Sequence, residues 1–262
     1  MELGIRGRKA IVAGGSAGMG RATAEALAAA GADIILSARG EERLRAVAAD
    51  IANRTGASVT PVTADHSTIE GRTRLIAACP DTDILVITIS PPPFIESFRD
   101  IGIDDWHTSI DSGLIGPVEL IRELSEGMVA RQWGRIVNIA TVAAKFPVEM
   151  RMLSGASRAA LINYTAVVSR KLAKHNVVLN NLLPGMFHTD AIEDWLIRIE
   201  QENSVDREGA IRLFCKRWRI PSGKIGQPED IGKFAATLCS EFACYTVGQN
   251  IVVDGGMVPG MF

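Results

Sequence analysis

The amino-acid sequence predicts an α/β fold: a doubly wound parallel sheet of about seven strands with helices on both faces. Three observations support this prediction. Short apolar segments alternate with longer helical patterns along the 262 residues, as expected for successive β-α-β units. A glycine-rich turn lies between the first strand segment and the first helical segment. No linker or internal repeat interrupts the alternation, so we expect a single domain over residues 1–262.

The strand segments are short and rich in apolar and β-branched residues. They are predicted at residues 9–13, 32–37, 58–62, 83–89, 134–140, 176–183 and 251–253. The segment at residues 83–89 is continuously apolar after Asp83. A run of this kind is typical of a strand that is covered on both faces.

The clearest helical segments lie at residues 18–30, 41–53 and 157–174. Gly31 follows the first of them, as a helix C-cap would. Residues 190–224 interrupt the alternation with a helical pattern of mixed charge that includes Trp195. Two compatible interpretations remain for this insertion: a lid above a substrate cleft, or an additional packed pair of helices.

The composition excludes several classes of protein. Hydrophobic residues make up 47% and charged residues 22%, and the net charge is -2, so we expect neither a membrane span nor a nucleic-acid partner. The N-terminal residues lack a signal-peptide core, which predicts a cytoplasmic location. The four cysteines form no CxxC pair and have no histidines at metal-binding spacing; we predict free thiols and no metal site.

The glycine-rich turn contains Gly14, Ser16, Gly18, Met19 and Gly20. Gly14 permits a sharp turn, Gly18 leaves room for a pyrophosphate, and Gly20 lets the helix pack against the strand. The start of the following helix would present free N–H groups to the anion. We therefore predict a dinucleotide site formed by this turn; the alternative is a tight strand–helix turn without a ligand.

Arg39 follows the second strand segment, where many dinucleotide-binding proteins place a carboxylate for the ribose of NAD. The chain has no carboxylate there before Glu41. A guanidinium pairs well with a phosphate, so we predict that NADP(H) is preferred, with NAD(H) still possible. The alternative is that Arg39 is a solvated surface charge.

The GxxxGxG turn, Asp65 and the segment Pro184-Gly185-Met-Phe187-His-Thr189 together resemble the short-chain dehydrogenase/reductase family. The resemblance extends to the C-terminal segments at residues 226–230 and 248–256. It implies a Rossmann-type sheet, an adenine contact from Asp65, and a homo-oligomer, tetramer or dimer, formed partly by the C-terminal tail. It also implies that the cofactor is contacted by Ser90, Gly185, Phe187 and Thr189.

The family's catalytic positions are altered in this chain. Gly113 stands where a helix Asn is expected, and Thr141 replaces the usual Ser. Ser154 and Arg158 occupy the positions of the family's Tyr and Lys, in a frame that fits without a gap. A serine hydroxyl is a much poorer proton donor than a phenol, and an arginine does not release its proton in practice. Thr141 keeps a hydroxyl that can polarise a carbonyl.

If the protein is a reductase, the proton must therefore come from another group. Lys145 follows Thr141 by four residues, and His188 lies in the Pro-Gly turn, so both are candidates for the general acid. Lys145 could instead be a solvated loop lysine, and His188 could brace the insertion. We expect His107 to lie on the surface.

Three functions remain open. The first is an NADP(H)-dependent carbonyl reductase or alcohol dehydrogenase that acts on a small molecule with a rearranged proton path. The second is a cofactor-binding protein without turnover, acting as a sensor or as a partner subunit, because the positions of the family's Asn, Tyr and Lys are altered together. The third is a lyase or isomerase that uses the same pocket.

Overall fold

The computed structural model describes residues 2–259 and confirms the predicted fold. Seven parallel strands form one sheet in the order β3-β2-β1-β4-β5-β6-β7. The strands are β1 (Lys9–Ala13), β2 (Asp33–Ala38), β3 (Val59–Thr63), β4 (Ile84–Thr88), β5 (Gly134–Ile139), β6 (Val177–Pro184) and β7 (Asn250–Val253). Met1 and residues 260–262 of the predicted domain lie outside the described residues.

Helices cover both faces of the sheet, and each face has its own apolar core. The helices are α1 (Gly18–Ala29), α2 (Glu41–Thr55), α3 (Ile69–Ala78), α4 (Ile103–Ile110), α5 (Gly116–Ala130), α6 (Met152–Leu172), α7 (Asp190–Asn203), α8 (Arg207–Arg217) and α9 (Pro228–Leu238). A π-helical segment, Asp111–Ile115, joins α4 to α5. None of the described helices is long and apolar enough to cross a bilayer.

The strand order reverses direction between β1 and β4. From β1 the chain runs outward through β2 to β3, and it then returns to place β4 on the other side of β1. Such a reversal leaves a crevice at the carboxyl ends of the strands, where ligands bind in open α/β sheets. Every residue of β4 is buried, which confirms the expectation drawn from its continuous apolar sequence.

Helix α6 begins earlier than its sequence indicates. The predicted start was residue 157, but the helix begins at Met152, directly after a short 3-10 turn at Glu149–Arg151. Glycine usually destabilises a helix interior. At position 155, however, a Cβ would lie only 2.9 Å from the Ala143 carbonyl oxygen. The glycine therefore permits close packing, and the earlier start places Ser154 inside the helix.

The insertion at residues 190–224 contains the packed helix pair α7 and α8. Ile192 and Leu196 of α7 and Phe214 of α8 belong to a separate small apolar core. Trp195 stacks on Trp218 with ring centroids 5.6 Å apart. The structure therefore agrees with the interpretation of residues 190–224 as an additional packed pair of helices.

All four cysteines are free, as predicted. Cys79, Cys215 and Cys239 are buried, and Cys244 is exposed. Burial raises the pKa of the Cys239 thiol to about 12, so this thiol remains protonated at neutral pH.

Candidate active site

The glycine turn lies at the crevice between β1 and β4. Gly14 has a φ of +84°, and a Cβ there would lie 2.4 Å from the Thr88 carbonyl oxygen. A Cβ at Gly20 would lie 2.2 Å from the carbonyl oxygen of Gly14. The Thr88 hydroxyl donates to the Ala13 carbonyl oxygen over 2.8 Å and thereby ties the end of β4 to the turn. Both glycines are therefore required by backbone packing.

Gly18 differs from the other two glycines, because no atom lies within 4 Å of the place where its Cβ would stand. The N-cap residue of α1, Ala17, has no side-chain capping bond, so the first N–H groups of the helix remain free for an anion. Ser16 lies half-buried in the same turn, and Met19 faces the neighbouring cavity. An open, uncapped helix start of this shape fits the diphosphate of a dinucleotide.

Arg39 and Asp65 lie near each other at the ends of β2 and β3. Arg39 is exposed and close enough to act on the charge of Asp65. Asp65 accepts bonds from the Ser67 N–H (2.9 Å) and hydroxyl (2.7 Å), both at Oδ1. Partial burial raises the pKa of Asp65, but the bonds from Ser67 and the nearby His66 and Arg39 outweigh it, so the net shift is downward. The pair thus offers a cation and an ionised acceptor at one end of the crevice.

A cavity of about 320 Å³ opens at the other end of the crevice. Its wall includes the carboxyl ends of β4, β5 and β6, the N-terminal turns of α6, and the start of α7. Two other cavities, of about 400 and 470 Å³, lie against α8 and behind Phe187. Of these three cavities among residues 2–259, the 320 Å³ cavity is the one lined by Thr141, Ser154 and Arg158, so it is the candidate active site.

Three of the predicted catalytic residues meet in this cavity: Thr141, Ser154 and Arg158 all line it. The Thr141 hydroxyl accepts a bond from the Ala143 N–H over 3.3 Å. Ser154 and Arg158 are buried one helical turn apart on α6. The structure therefore brings together two hydroxyls and a guanidinium.

Arg158 is only 2% exposed. Its guanidinium donates to the carbonyl oxygens of Ile89 (3.3 Å), Ser90 (3.4 Å) and Ser154 (3.5 Å). Burial, together with the charge of Arg151, lowers the pKa of Arg158 to about 10. The side chain remains a cation at neutral pH, and it faces the end of β4.

Gly113 lies in the π-helical segment, directly beside this guanidinium. A Cβ at Gly113 would lie 3.6 Å from Nη1 of Arg158, but 2.5 Å from the hydroxyl oxygen of Ser157. Ser157 occupies this space and bonds to Ser109 over 3.0 Å. The position that the family assigns to an Asn is therefore adjacent to the site, but a neighbouring side chain fills it.

The predicted cofactor contacts at the end of β6 also surround the cavity, since Gly185, Phe187 and Thr189 all line it. Phe187 is buried and bridges to Gly226. The Thr189 hydroxyl caps α7 by accepting from the Ile192 N–H. Ser90 is exposed just beyond β4, where its carbonyl meets Arg158.

The structure does not bring the two predicted proton donors into the cavity wall. Lys145 is exposed, with Nζ 5.5 Å from the centre of the Phe146 ring. His188 Nε2 pairs with Glu193 of α7 over 3.0 Å, which fits the bracing role. His107 is exposed, as expected.

Sequence reasoning missed Arg151, which lines the cavity one turn before Ser154. Its Cζ lies 3.4 Å from the centre of the Phe94 ring, and Nη1 donates to the Pro92 carbonyl oxygen over 3.0 Å. A helix predicted from residue 152 would have indicated it, because residues 151, 154 and 158 then share one face.

Comparison with known proteins shows the same fold and a common family. A family model described as enoyl-(acyl carrier protein) reductase matches residues 13–258. The 3-oxoacyl-[acyl-carrier-protein] reductase FabG of Aquifex aeolicus is 30% identical over 98% of this chain and 100% of its own.

Two solved structures are similar over nearly the whole chain. L-sorbose reductase from Gluconobacter frateurii, complexed with NADPH and L-sorbose, has a TM-score of 0.93 and 29% identity, and the match covers 100% of both chains. A short chain dehydrogenase/reductase family protein has a TM-score of 0.83 and 30% identity, covering 98% of each chain.

Proposed function

The chain belongs to the short-chain dehydrogenase/reductase family, and we propose that it is an NADPH-dependent reductase of a small carbonyl compound. One observation supports this proposal above the others: Thr141, Ser154 and Arg158 line a single cavity at the crevice where the glycine turn begins α1. The L-sorbose reductase of similar structure is complexed with NADPH and a small ketose. The same chemistry, in reverse, would oxidise an alcohol.

The chain has a distinct group for each part of the cofactor. The uncapped N–H groups of α1 would bind the diphosphate, Arg39 would bind the 2′-phosphate, and the Asp65 carboxylate would accept from the adenine amino group. Arg158 donates to the hydroxyls of the nicotinamide ribose. When bound, the cofactor supplies a hydride. Because Arg39 stands where NAD-specific relatives place a carboxylate, NADPH is the preferred cofactor and NADH the weaker one.

The proton path in this proposal does not use a phenol. The hydroxyls of Thr141 and Ser154 donate to the substrate carbonyl oxygen, and Arg158 stabilises the negative charge that develops there. Arg158 keeps its proton, since its pKa of about 10 is well above neutral pH. The proton therefore comes from water that reaches the carbonyl oxygen through the cavity mouth, rather than from Lys145 or His188.

Helices α7 and α8 form the substrate lid in this proposal. Asp190, Ala191 and Ile192 of α7 contribute to the cavity wall, and the Phe94 ring stacks on Trp195 at 4.9 Å. The lid therefore touches both the cavity and the loop after β4. Closure of such an element would hold the substrate in the cavity during the reaction.

A homo-oligomer is part of the proposal as well. Ile103, Ile110, Ile115 and Val167 are exposed large apolar side chains on α4, the π-helical segment and α6. Apolar side chains exposed on adjoining elements favour association with another copy. Light scattering after gel filtration should give a multiple of the monomer mass, and a monomer at micromolar concentration would contradict this part.

A second candidate function is cofactor binding without turnover. It is favoured by the environment of Gly113, where Ser157 leaves no room for the family's Asn. Absorbance at the NADPH band with a panel of ketones, aldehydes and oxo acids separates the two functions. Substrate-dependent oxidation that weakens in Thr141→Val and Ser154→Ala supports the reductase. Tight NADPH binding with no oxidation across the panel supports the non-catalytic role.

A further inference from the structure

Two arginines line the candidate active site without a carboxylate to neutralise them. Neither Arg151 nor Arg158 has an acidic oxygen within salt-bridge distance among the residues that the structure describes. Asp190, at the exposed start of α7, is the one acidic residue in the described cavity wall. The wall is thus cationic.

Arg151 is held in place by uncharged contacts. Its guanidinium lies over the Phe94 ring at 3.4 Å, and Phe94 stacks on Trp195 of the lid. One bond, from Nη1 to the Pro92 carbonyl oxygen, occupies one of its donors. A guanidinium has five N–H donors in a fixed planar arrangement, so the others remain available to a ligand in the cavity.

Burial of both guanidinium groups is costly without an anion. Burial lowers the pKa of Arg151 to about 10, and it lowers the pKa of Arg158 to about 10 together with the charge of Arg151. A buried guanidinium that has no carboxylate partner favours the binding of an anion beside it. A carboxylate suits a guanidinium best, because two parallel N–H···O bonds can form.

The anionic groups of the cofactor already have other partners. In the proposed function the start of α1 would bind the diphosphate, and Arg39, after β2, would bind the 2′-phosphate at the opposite end of the crevice from α6. Arg151 instead lies beside Phe94 and the lid, the side of the cavity that the substrate enters in the proposed function. The unpaired positive charge of Arg151 therefore lies on the side of the cavity where the substrate would bind.

We propose that Arg151 binds a carboxylate of the substrate, so that the protein reduces small oxo acids in preference to neutral ketones. This inference rests on the proposed function, since it assigns the substrate class of the same site. In it, Thr141 and Ser154 hold the carbonyl oxygen, and Arg151 holds the acid group. The cavity volume of about 320 Å³ suits a short-chain acid.

Matched pairs of acid and amide test the proposal directly. The probes are 2-oxobutanoate with 2-oxobutanamide and acetoacetate with acetoacetamide, because each pair differs in charge and hardly in shape. For at least one pair, kcat/KM with NADPH should favour the acid by about ten-fold or more, as expected for a charge-assisted bidentate contact. Arg151→Gln should abolish the preference, and Arg151→Lys should restore part of it.

Arg99→Gln is the matched control. Arg99 also stacks on a phenylalanine, with Cζ 4.5 Å from the Phe98 ring centre, but it is exposed and lies outside the described cavity wall. The acid preference should be unchanged in this variant. NADPH affinity should also stay within about two-fold of the wild-type value in Arg151→Gln, because the contact is made with the substrate.

Two results would overturn the proposal. One is equal kcat/KM for the acid and the amide of both pairs; the other is an acid preference that survives in Arg151→Gln. If no probe is reduced, calorimetry with the NADP⁺ complex measures 2-oxobutanoate binding directly. Binding that Arg151→Gln removes would then support the anion site while the reductase function fails, and no binding would contradict the anion site too.

Discussion

Ser157 occupies the space that a side chain at Gly113 would need: a Cβ added to Gly113 would lie 2.5 Å from Oγ and 2.9 Å from Cβ of Ser157. The two residues face each other between the π-helical segment and α6, next to Arg158. Ser157 also accepts a 3.0 Å hydrogen bond from the Ser109 hydroxyl. Ser157 therefore fills the space beside Gly113, next to the Arg158 guanidinium.

This contact predicts strong coupling between the two positions. Gly113→Asn should lower the free energy of unfolding by about 1–3 kcal/mol, the usual cost of overpacking. In Gly113→Asn/Ser157→Gly the space is restored, so the loss should be smaller than the sum of the two single changes. Urea titrations of the wild type, the two single variants and the double variant give the coupling free energy. Strict additivity would show that the contact with Ser157 is not the reason why Gly113→Asn destabilises the protein.

Cofactor preference should depend on Arg39. Arg39→Ala removes charge-assisted bonds to the 2′-phosphate, so NADPH affinity should fall roughly 10–100-fold while NADH affinity changes little. Arg43→Ala, an exposed arginine on α2, is the matched control and should leave both affinities unchanged. Nicotinamide fluorescence titration measures them. Equal losses for NADPH and NADH would place Arg39 outside the phosphate contact.

Alanine substitutions at Gly18 and Gly20 should differ in their effects: the first should mainly weaken NADPH binding, and the second should mainly lower thermal stability. Gly18→Ala meets no atom within 4 Å and costs about 1–2 kcal/mol for the left-handed φ of +50°; its main effect should be weaker NADPH binding. Gly20→Ala brings a Cβ within 2.2 Å of the Gly14 carbonyl oxygen and should lower Tm by more. Calorimetry without cofactor measures Tm. An equal Tm in the two variants would contradict the prediction that Gly20→Ala is the more destabilising change.

Protonation of His66 should account for part of the decrease in the free energy of unfolding at acid pH. Burial lowers the pKa of His66 below its ordinary value of 6.5, and its Nε2 has no hydrogen-bond partner in the described structure. The unfolded chain therefore binds more protons, and stability is lost as pH falls from about 6.5 toward the lower folded pKa. Above about pH 6.5, His66 is neutral in both the folded and the unfolded protein, and its full contribution to stability is present.

The variant His66→Gln isolates this effect, because glutamine does not titrate. The decrease in unfolding free energy between pH 7.5 and pH 5.5 should be smaller in His66→Gln than in the wild type. The exposed His107 is the control, and His107→Gln should keep the wild-type decrease. An unchanged decrease in His66→Gln would show that His66 is not protonated on unfolding in this range.

The sheet could be predicted from the sequence because strand burial leaves a local pattern. The apolar run at residues 84–88 and the glycine spacing of the turn each follow from contacts within a few residues of chain. Ser154 and Arg158 could be assigned because they match the spacing of the family's catalytic positions along the chain, although the helix predicted from residue 157 did not include Ser154. These parts of the site needed no knowledge of distant contacts.

The remainder depends on packing between distant segments. The start of α6 at Met152 was missed, because the close approach of Gly155 to the Ala143 carbonyl oxygen is not visible in the local sequence. Arg151 was missed for the same reason, because it is held by Phe94, which in turn stacks on Trp195 of α7. Lys145 was predicted from its distance along the chain, but the loop directs it to the surface.

The central claim is that this cavity carries out hydride transfer from NADPH to a carbonyl without a tyrosine. The most direct measurement is mass spectrometry of the products after incubation with NADPH deuterated at nicotinamide C4 and the panel of carbonyl compounds. One deuterium is expected on the new carbinol carbon, at a rate reduced in Thr141→Val and Ser154→Ala. Tight NADPH binding with no deuterated alcohol from any member of the panel would contradict it.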